Sequence, residues 1–372
     1  MKITDVEAIF VRLQEVKKQC DSGQDALIVK VHTDEGITGI GEVDSAPLGV
    51  QGVITGPYSH TLCSGLKQLL LGEDPFETEY LWDKLYRSNI YAGRSGIAIH
   101  AISGIDMALW DIKGKKLGMP IWKLLGGGFR KRIRCYASVL FEETPEATYE
   151  TAKRLRDGGF SAVKFGWGPI GKDAATDIAL VSKAREGLGS KIDLLVDAGL
   201  AWDTKTAIQR AQAYSDFQIF WLEEPLAPNN YEGYKRLTDA TSIPIAAGEE
   251  EDSRDTYHRL IVEGKIDIVQ IDLTRCGGFT EARRIAYMAA DHHRLVANHG
   301  FTTYINVAAA LHFLNSIPNV VIAEYVAQGN TNLRDFLTHQ KIVAKDGYLD
   351  IPDDPGLGID LNEKMIAKYR VA

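Results

Sequence analysis

The chain has 372 residues, 45% hydrophobic and 25% charged, with a formal net charge of −8. That length exceeds one ordinary small core, so a large barrel with a second domain is expected. The acidic balance argues against nucleic acid or an anionic membrane as partner, since neither attracts a negative surface.

Four cysteines, Cys20, Cys63, Cys135 and Cys276, show no Cys-x-x-Cys spacing. They read as buried thiols in a reducing compartment, with neither a zinc site nor a disulfide framework indicated. The opening "MKITDVEAIF" carries acidic residues early, and the longest apolar stretch, near "INVAAALHFL", is far short of a membrane span. A soluble cytoplasmic protein is expected.

The first forty residues alternate in the β manner through "ITDVEAIFVRL" and "ALIVKVHTDEGITGIGEV", with "DEG" as a hairpin turn. Within this region "QEVKKQCDSGQD", residues 14–25, is a polar loop that offers Asp25 as a substrate contact. "DSAPLGVQGVITG", residues 44–56, is punctuated by glycine like a mobile lid. From about Gly65 to Leu125 the apolar spacing of three and four predicts helices, and "IYAGRSG" before the longest of them offers Arg94 as a further contact. Residues 1–125 therefore read as an α+β domain.

After Gly128 come eight short β-rich runs: "IRCYASV", "SAVKFG", "IDLLVDA", "IFWLEE", "IPIAAGE", "IDIVQID", "LVANHG" and "VVIAEY". An amphipathic helical stretch follows each, which predicts an α/β fold with parallel strands closed into a barrel over residues 126–335. No glycine-rich phosphate fingerprint supports the open-sheet alternative. Residues 336–372 form a turn-rich tail that can return to the first domain.

The later runs end in titratable residues: Lys164, Asp197, Glu223, Glu249, Asp272, His299 and Glu324. Strand C-termini of a parallel barrel share one face, so these side chains are expected to converge. Charges at the ends of core strands are costly unless paired or coordinated. Asp197, Glu223 and Glu249 would repel one another unless a cation bridged them, and an all-oxygen donor set favours Mg²⁺. Asp272 beside His299 would fix the imidazole tautomer and free the other ring nitrogen to move a proton. His292, His293, His312 and His339 read as structural.

The motifs "VKFG", "LVDAGLAW", "WLEEPL", "IAAGEE", "IDLTRCGG", "ANHG" and "IAEY", with "AISGIDMALWDIKGK" before them and "PGLGID" after, resemble the mandelate racemase-like branch of the enolase superfamily. The resemblance spans nearly the whole chain. It implies a modified TIM barrel, (β/α)₇β, under a capping domain built from the N-terminal part and the tail. It also implies one Mg²⁺ on Asp197, Glu223 and Glu249, a His299–Asp272 dyad, and removal of the proton next to a carboxylate to give an enediolate. Glu324 matches the acid that meets the substrate carboxylate, and Lys164 an electrostatic clamp on it. Trp167 reads as a wall of the pocket beside Lys164 or as a cap on the barrel. Relatives of this kind are often homo-oligomers.

Two departures narrow the expectation. Many relatives carry Lys-x-Lys where this chain has Lys164, Phe165 and Gly166, so the second base of a two-base racemase is missing. Asp272 stands where the muconate-lactonizing and dipeptide-epimerase branch places a lysine base. Arg275, where many relatives have lysine, reads as structural and paired with neighbouring acids. One-base chemistry on a small sugar acid remains: syn elimination of water from an aldonate or aldarate to give a 2-keto-3-deoxy acid. The alternatives are a racemase or epimerase, a cycloisomerase of a sugar-acid lactone, or a non-catalytic binding protein on the same fold.

Overall fold

The structure is a computed structural model that describes residues 1–17, 23–327 and 333–371. Strands β1 (Ile3–Arg12), β2 (Asp25–Thr33) and β3 (Thr38–Val43) form an antiparallel meander, as the alternation predicts. Helices α1 (Pro47–Thr55), α2 (Leu66–Leu70), α3 (Thr78–Arg87), α4 (Ile97–Leu117) and α5 (Ile121–Leu124) follow. Alternate residues of the sheet, such as Leu27, Val29 and Val31, meet Ile102, Ile105 and Leu109 of α4 in one core. At Gly41 a side chain would strike the backbone carbonyl of Gly104, so glycine lets β3 press directly on α4.

The segment 44–56, read from sequence as a mobile lid, is instead mostly the helix α1. Pro47 suits the first helical turn, where its missing N–H costs nothing, and burial of Val50 and Ile54 holds the helix despite its glycines.

The eight expected runs become β4 (Arg132–Leu140), β5 (Ala162–Gly166), β6 (Asp193–Asp197), β7 (Ile219–Glu223), β8 (Ile245–Ala247), β9 (Ile268–Ile271), β10 (Leu295–Asn298) and β11 (Val320–Val326). All neighbours are parallel, and β11 pairs back onto β4 to close the barrel. Seven helices join them: α6 (Pro145–Asp157), α7 (Ala174–Leu188), α8 (Thr204–Ala213), α9 (Tyr231–Ala240), α10 (Arg254–Val262), α11 (Gly278–Asp291) and α12 (Tyr304–Asn315). The barrel interior is filled by Tyr136, Leu195, Trp221, Ile268 and Ile322, so its lower half is solid core.

Beyond β11 lie α13 (Arg334–Leu337), β12 (Tyr348–Asp350) and α14 (Glu363–Tyr369). Strand β12 adds antiparallel to the start of β4, a pairing the sequence did not announce. The tail does meet the N-terminal unit: the Leu357 N–H donates to Asp111 of α4 at 2.9 Å, and the Ile121 N–H donates to the Gly356 carbonyl at 3.1 Å. Cys135 and Cys276 are buried thiols, whereas Cys63 is only half-buried and Cys20 lies outside the described residues. Among the described residues no helix is long and apolar enough to cross a membrane.

His312 on α12 is structural, as expected. Nε2 faces the Leu357 carbonyl at 3.1 Å, and burial lowers its pKa from 6.5 to about 4. The unfolded chain then binds a proton that the fold refuses between those values. This amounts to about 3 kcal/mol of stability, present above pH 6.5 and lost as pH falls toward 4. Glu42 and Asp106, both raised by burial to about 7, act in the opposite direction over that range. His312→Gln is therefore expected to lose less stability than wild type between pH 6.5 and 4. Urea midpoints across that range read the difference, and the carboxylates common to both proteins cancel.

Candidate active site

At the C-terminal mouth of the barrel lies a cavity of about 300 Å³. Lys164, Asp197, Glu249, His299 and Glu324 line it, with Arg275 at its edge. Glu223 and Asp272 sit just behind, each with a fully buried side chain. The seven strand-end residues thus share one end of the barrel, as parallel strand direction requires.

Lys164 stands at the centre of the acids. Its Nζ is 2.5 Å from Glu223 Oε1, 2.9 Å from Glu324 Oε1 and 3.7 Å from Asp197 Oδ2. Burial works against its charge, but Glu223 and Glu324 outweigh it and hold the ammonium well above its ordinary pKa. The second Glu223 oxygen accepts from the Trp221 indole at 2.8 Å, and Asp197 accepts from the Gly199 N–H at 2.8 Å. Burial, followed by the Glu223 charge, pushes Asp197 well above the carboxylate range. Glu249 is also raised, by burial opposed by the charges of His299 and Lys164. Glu324, despite burial, is held below its ordinary value by Lys164 and His299.

His299 Nδ1 lies 2.7 Å from Asp272 Oδ2, while Nε2 lies 3.5 Å from Glu249. The other Asp272 oxygen accepts from both the N–H and the hydroxyl of Thr274, at 2.7 and 2.6 Å. Asp272 therefore has no rotational freedom left, and it orients the ring with Nε2 toward the cavity. Burial tends to strip the imidazolium of its proton, yet the Glu249 charge and the Asp272 bond raise its pKa to about 10.

The three carboxylates expected to hold metal are not the tightest groupings. Among the described residues, the sets with candidate ligand atoms within 4.8 Å of one another are Asp44, Asp272 and His299, and Glu224, Glu249 and Glu250. Glu223 is drawn instead to Lys164. Trp167, half-exposed with a φ of 51°, does line the cavity beside Lys164.

Asp25 and Arg94 do not line it. Asp25 sits opposite Arg12 where β2 begins, and residues 18–22 of its loop lie outside the described residues. Arg94 lines a separate cleft of about 1000 Å³ with Tyr91, Asp252 and Arg254, and the Gly96 N–H ties its segment to Asp252 in the loop after β8. Arg275 pairs with acids, as its reading held: Nη2 is 2.9 Å from Asp44 Oδ2, and Nη1 donates to the Glu249 carbonyl at 2.9 Å. The sequence reading missed Asp44, Phe301, whose ring tilts over His299 at 5.4 Å, and Ser138. Period-two alternation along "YAS" would have found Ser138, two residues beyond the inward-facing Tyr136.

Gly166 packs against Asp197 with no room for a side chain. A Cβ there would lie 2.7 Å from Asp197 Cβ and 2.8 Å from Oδ2. Gly166→Ala must displace Asp197, and a shift of about 1 Å is expected to lower turnover by about 10- to 100-fold. Steady-state kinetics check this; unchanged turnover would show that Asp197 yields without consequence.

The chain matches the family described as mandelate racemase / muconate lactonizing enzyme, N-terminal domain, over residues 13–126, and the family described as enolase C-terminal domain-like over residues 147–365. It belongs to the mandelate racemase and muconate lactonizing enzyme family. The D-galactarolactone cycloisomerase of Agrobacterium fabrum is 33% identical over 93% of this chain and 91% of its own length. The L-talarate/galactarate dehydratase of Salmonella typhimurium is 34% identical over 91% of this chain and 81% of its own length. A racemase from Streptomyces coelicolor, crystallised with bound magnesium, superposes with a TM-score of 0.87 at 29% identity, covering 99% of this chain and all of that one. Membership of the mandelate racemase and muconate lactonizing enzyme family makes the chain an enzyme.

Proposed function

We propose that this enzyme is a hydro-lyase that removes water from a sugar acid, an aldonate or aldarate, to give a 2-keto-3-deoxy acid. The observation that carries the reading is, among the described residues, a single cavity-lining imidazole, oriented by Asp272, on a barrel whose β5 ends in Gly166 where a second base would stand. In its neutral form, which requires the Glu249 charge that otherwise keeps the ring protonated to be offset, His299 Nε2 takes the proton next to the substrate carboxylate. The resulting imidazolium then returns it to the β-hydroxyl leaving from the same face, and the enol product ketonises. Lys164 meets the substrate carboxylate, and Glu324, one oxygen held by the Gly300 N–H at 2.8 Å and the other 2.9 Å from Lys164 Nζ, orients that ammonium from the eighth strand.

Asp197, Glu223 and Glu249 would hold one Mg²⁺: they offer only oxygen donors and all are buried, and Glu223 would exchange Lys164 for the ion. Burial raises both Asp197, helped by the Glu223 charge, and Glu249, against the charges of His299 and Lys164. When bound, such an ion supplies positive charge where the substrate becomes more negative. In this reading residues 1–125 and the tail 336–372 select the substrate, and residues 126–335 carry the chemistry.

A panel of aldonates and aldarates incubated with enzyme and Mg²⁺ tests the proposal, with semicarbazide detecting 2-keto acids. Formation of a 2-keto-3-deoxy acid is expected; α-proton exchange with solvent deuterium and no dehydration overturns it. A second reading, cycloisomerisation, uses the same proton with a ring oxygen as leaving group, and the Agrobacterium relative favours it. Turnover of lactones or anhydro-sugar acids, with open-chain acids untouched, selects that reading.

A further inference from the structure

The end of β3 reaches into both loops that follow the dyad residues. Glu42, fully buried, accepts from the Thr303 hydroxyl at 2.7 Å and from the Asn306 N–H at 3.0 Å. Thr303 caps the N-terminus of α12, four residues after His299. Asp44, two residues on, takes the Arg275 guanidinium on both its oxygens, at 3.2 Å from Nε and at 2.9 Å from Nη2. Arg275 lies three residues after Asp272, and its N–H donates to the Asp272 carbonyl at 3.1 Å. One oxygen of Asp44 also lies within 4.8 Å of a ligand atom of Asp272 and of a ring nitrogen of His299.

These two acids are rigidly supported. Gly41 presses β3 onto α4, and α4 grips the same barrel loop from its other side: Ser103 accepts from the Gly277 N–H at 2.8 Å, and Asp106 from the Thr280 N–H at 3.0 Å. The N-terminal unit thus holds the loop after Asp272 at Arg275 and Gly277, and α11 at Thr280, while Glu42 holds the loop after His299.

We infer that Glu42 and Asp44 are positioning residues for the His299–Asp272 pair, setting the distance and angle at which Nε2 enters the cavity. Neither acid needs to touch substrate. Each holds the loop immediately following one member of the pair, and Arg275 passes the Asp44 anchor on to the Glu249 backbone. The inference rests on the proton-transfer role proposed for His299.

Asp44→Asn keeps the shape and removes the charge that Arg275 meets. Its kcat is expected to fall about 10- to 100-fold with KM within about threefold of wild type. Glu42→Leu should behave alike, whereas Glu42→Gln, whose amide oxygen still accepts from Thr303 and Asn306, should recover most of the rate. The double variant Asp44→Asn with Arg275→Met should be no slower than the slower single, since the pair acts as a unit. Hydrogen exchange read by mass spectrometry should quicken at residues 273–276 in Asp44→Asn and at residues 301–306 in Glu42→Leu, without substrate present. Where Asp44→Asn does not fold, as judged by circular dichroism, Asp44→Glu displaces the charge by one methylene and is read in the same way. An unchanged kcat in Asp44→Asn and Glu42→Leu, or multiplicative effects in the double variant, overturns the inference. An active His299→Asn enzyme would instead overturn the proton-transfer role itself, so the two failures are distinct.

Discussion

Replacing His299 with asparagine is expected to lower turnover by about 10³- to 10⁴-fold, toward the upper end of what a positioned proton-transfer group contributes. The size follows from double use in the proposed reaction, where one imidazole both takes the α-proton and delivers it to the leaving oxygen. Among the described residues lining the cavity, the other basic side chains are Lys164, held charged by Glu223 and Glu324, and Arg275, paired with Asp44. Asparagine preserves an amide that can meet Asp272, so the fold and the carboxylate arrangement should persist. Measured turnover, solvent-deuterium incorporation and thermal midpoint together check this. Turnover within tenfold of wild type would show that another group moves the proton.

Replacing Lys164 with methionine should have opposite effects on two quantities. The ammonium is buried within 4 Å of three carboxylates, and removing it leaves those charges unpaired, a cost of about 3–5 kcal/mol in the ion-free protein. Turnover is expected to fall about 10²- to 10³-fold, as for loss of a donor aimed at developing negative charge. Mg²⁺ should nonetheless bind more tightly, because Glu223 no longer has Lys164 as its counter-ion. Thermal melts with and without Mg²⁺ read this directly, since a ligand that binds the folded state raises its stability by mass action. A smaller Mg²⁺-dependent rise than in wild type would place the ion elsewhere.

How much of this was visible in the chain differs by element. The eight barrel strands were legible because fully buried parallel strands read as short apolar runs, and a charged residue ending such a run stands out. Lys164, Asp197, Glu249, His299 and Glu324, which end such runs, line one cavity. Asp44 was not legible, because its partner Arg275 is 231 residues away and an acid in a glycine-rich stretch reads as solvated. Helix α1 was hidden for a related reason: tertiary burial of Val50 and Ile54, not local propensity, makes it form. Arg94 was misplaced because a loop's composition does not reveal which flank of the barrel it follows. The Lys164–Glu223 pair was likewise unreadable, since it depends on rotamers chosen across two strands.

The double grip of β3 also bears on redesign. A chimera that grafted another relative's N-terminal unit onto this barrel, to import a new substrate preference, would succeed only if the donor carried acids matching Glu42 and Asp44 for Thr303 and Arg275. Without them the transplanted part could recognise its molecule correctly and still leave the imidazole misaligned, so tight binding with little conversion would be the signature of a mismatched graft.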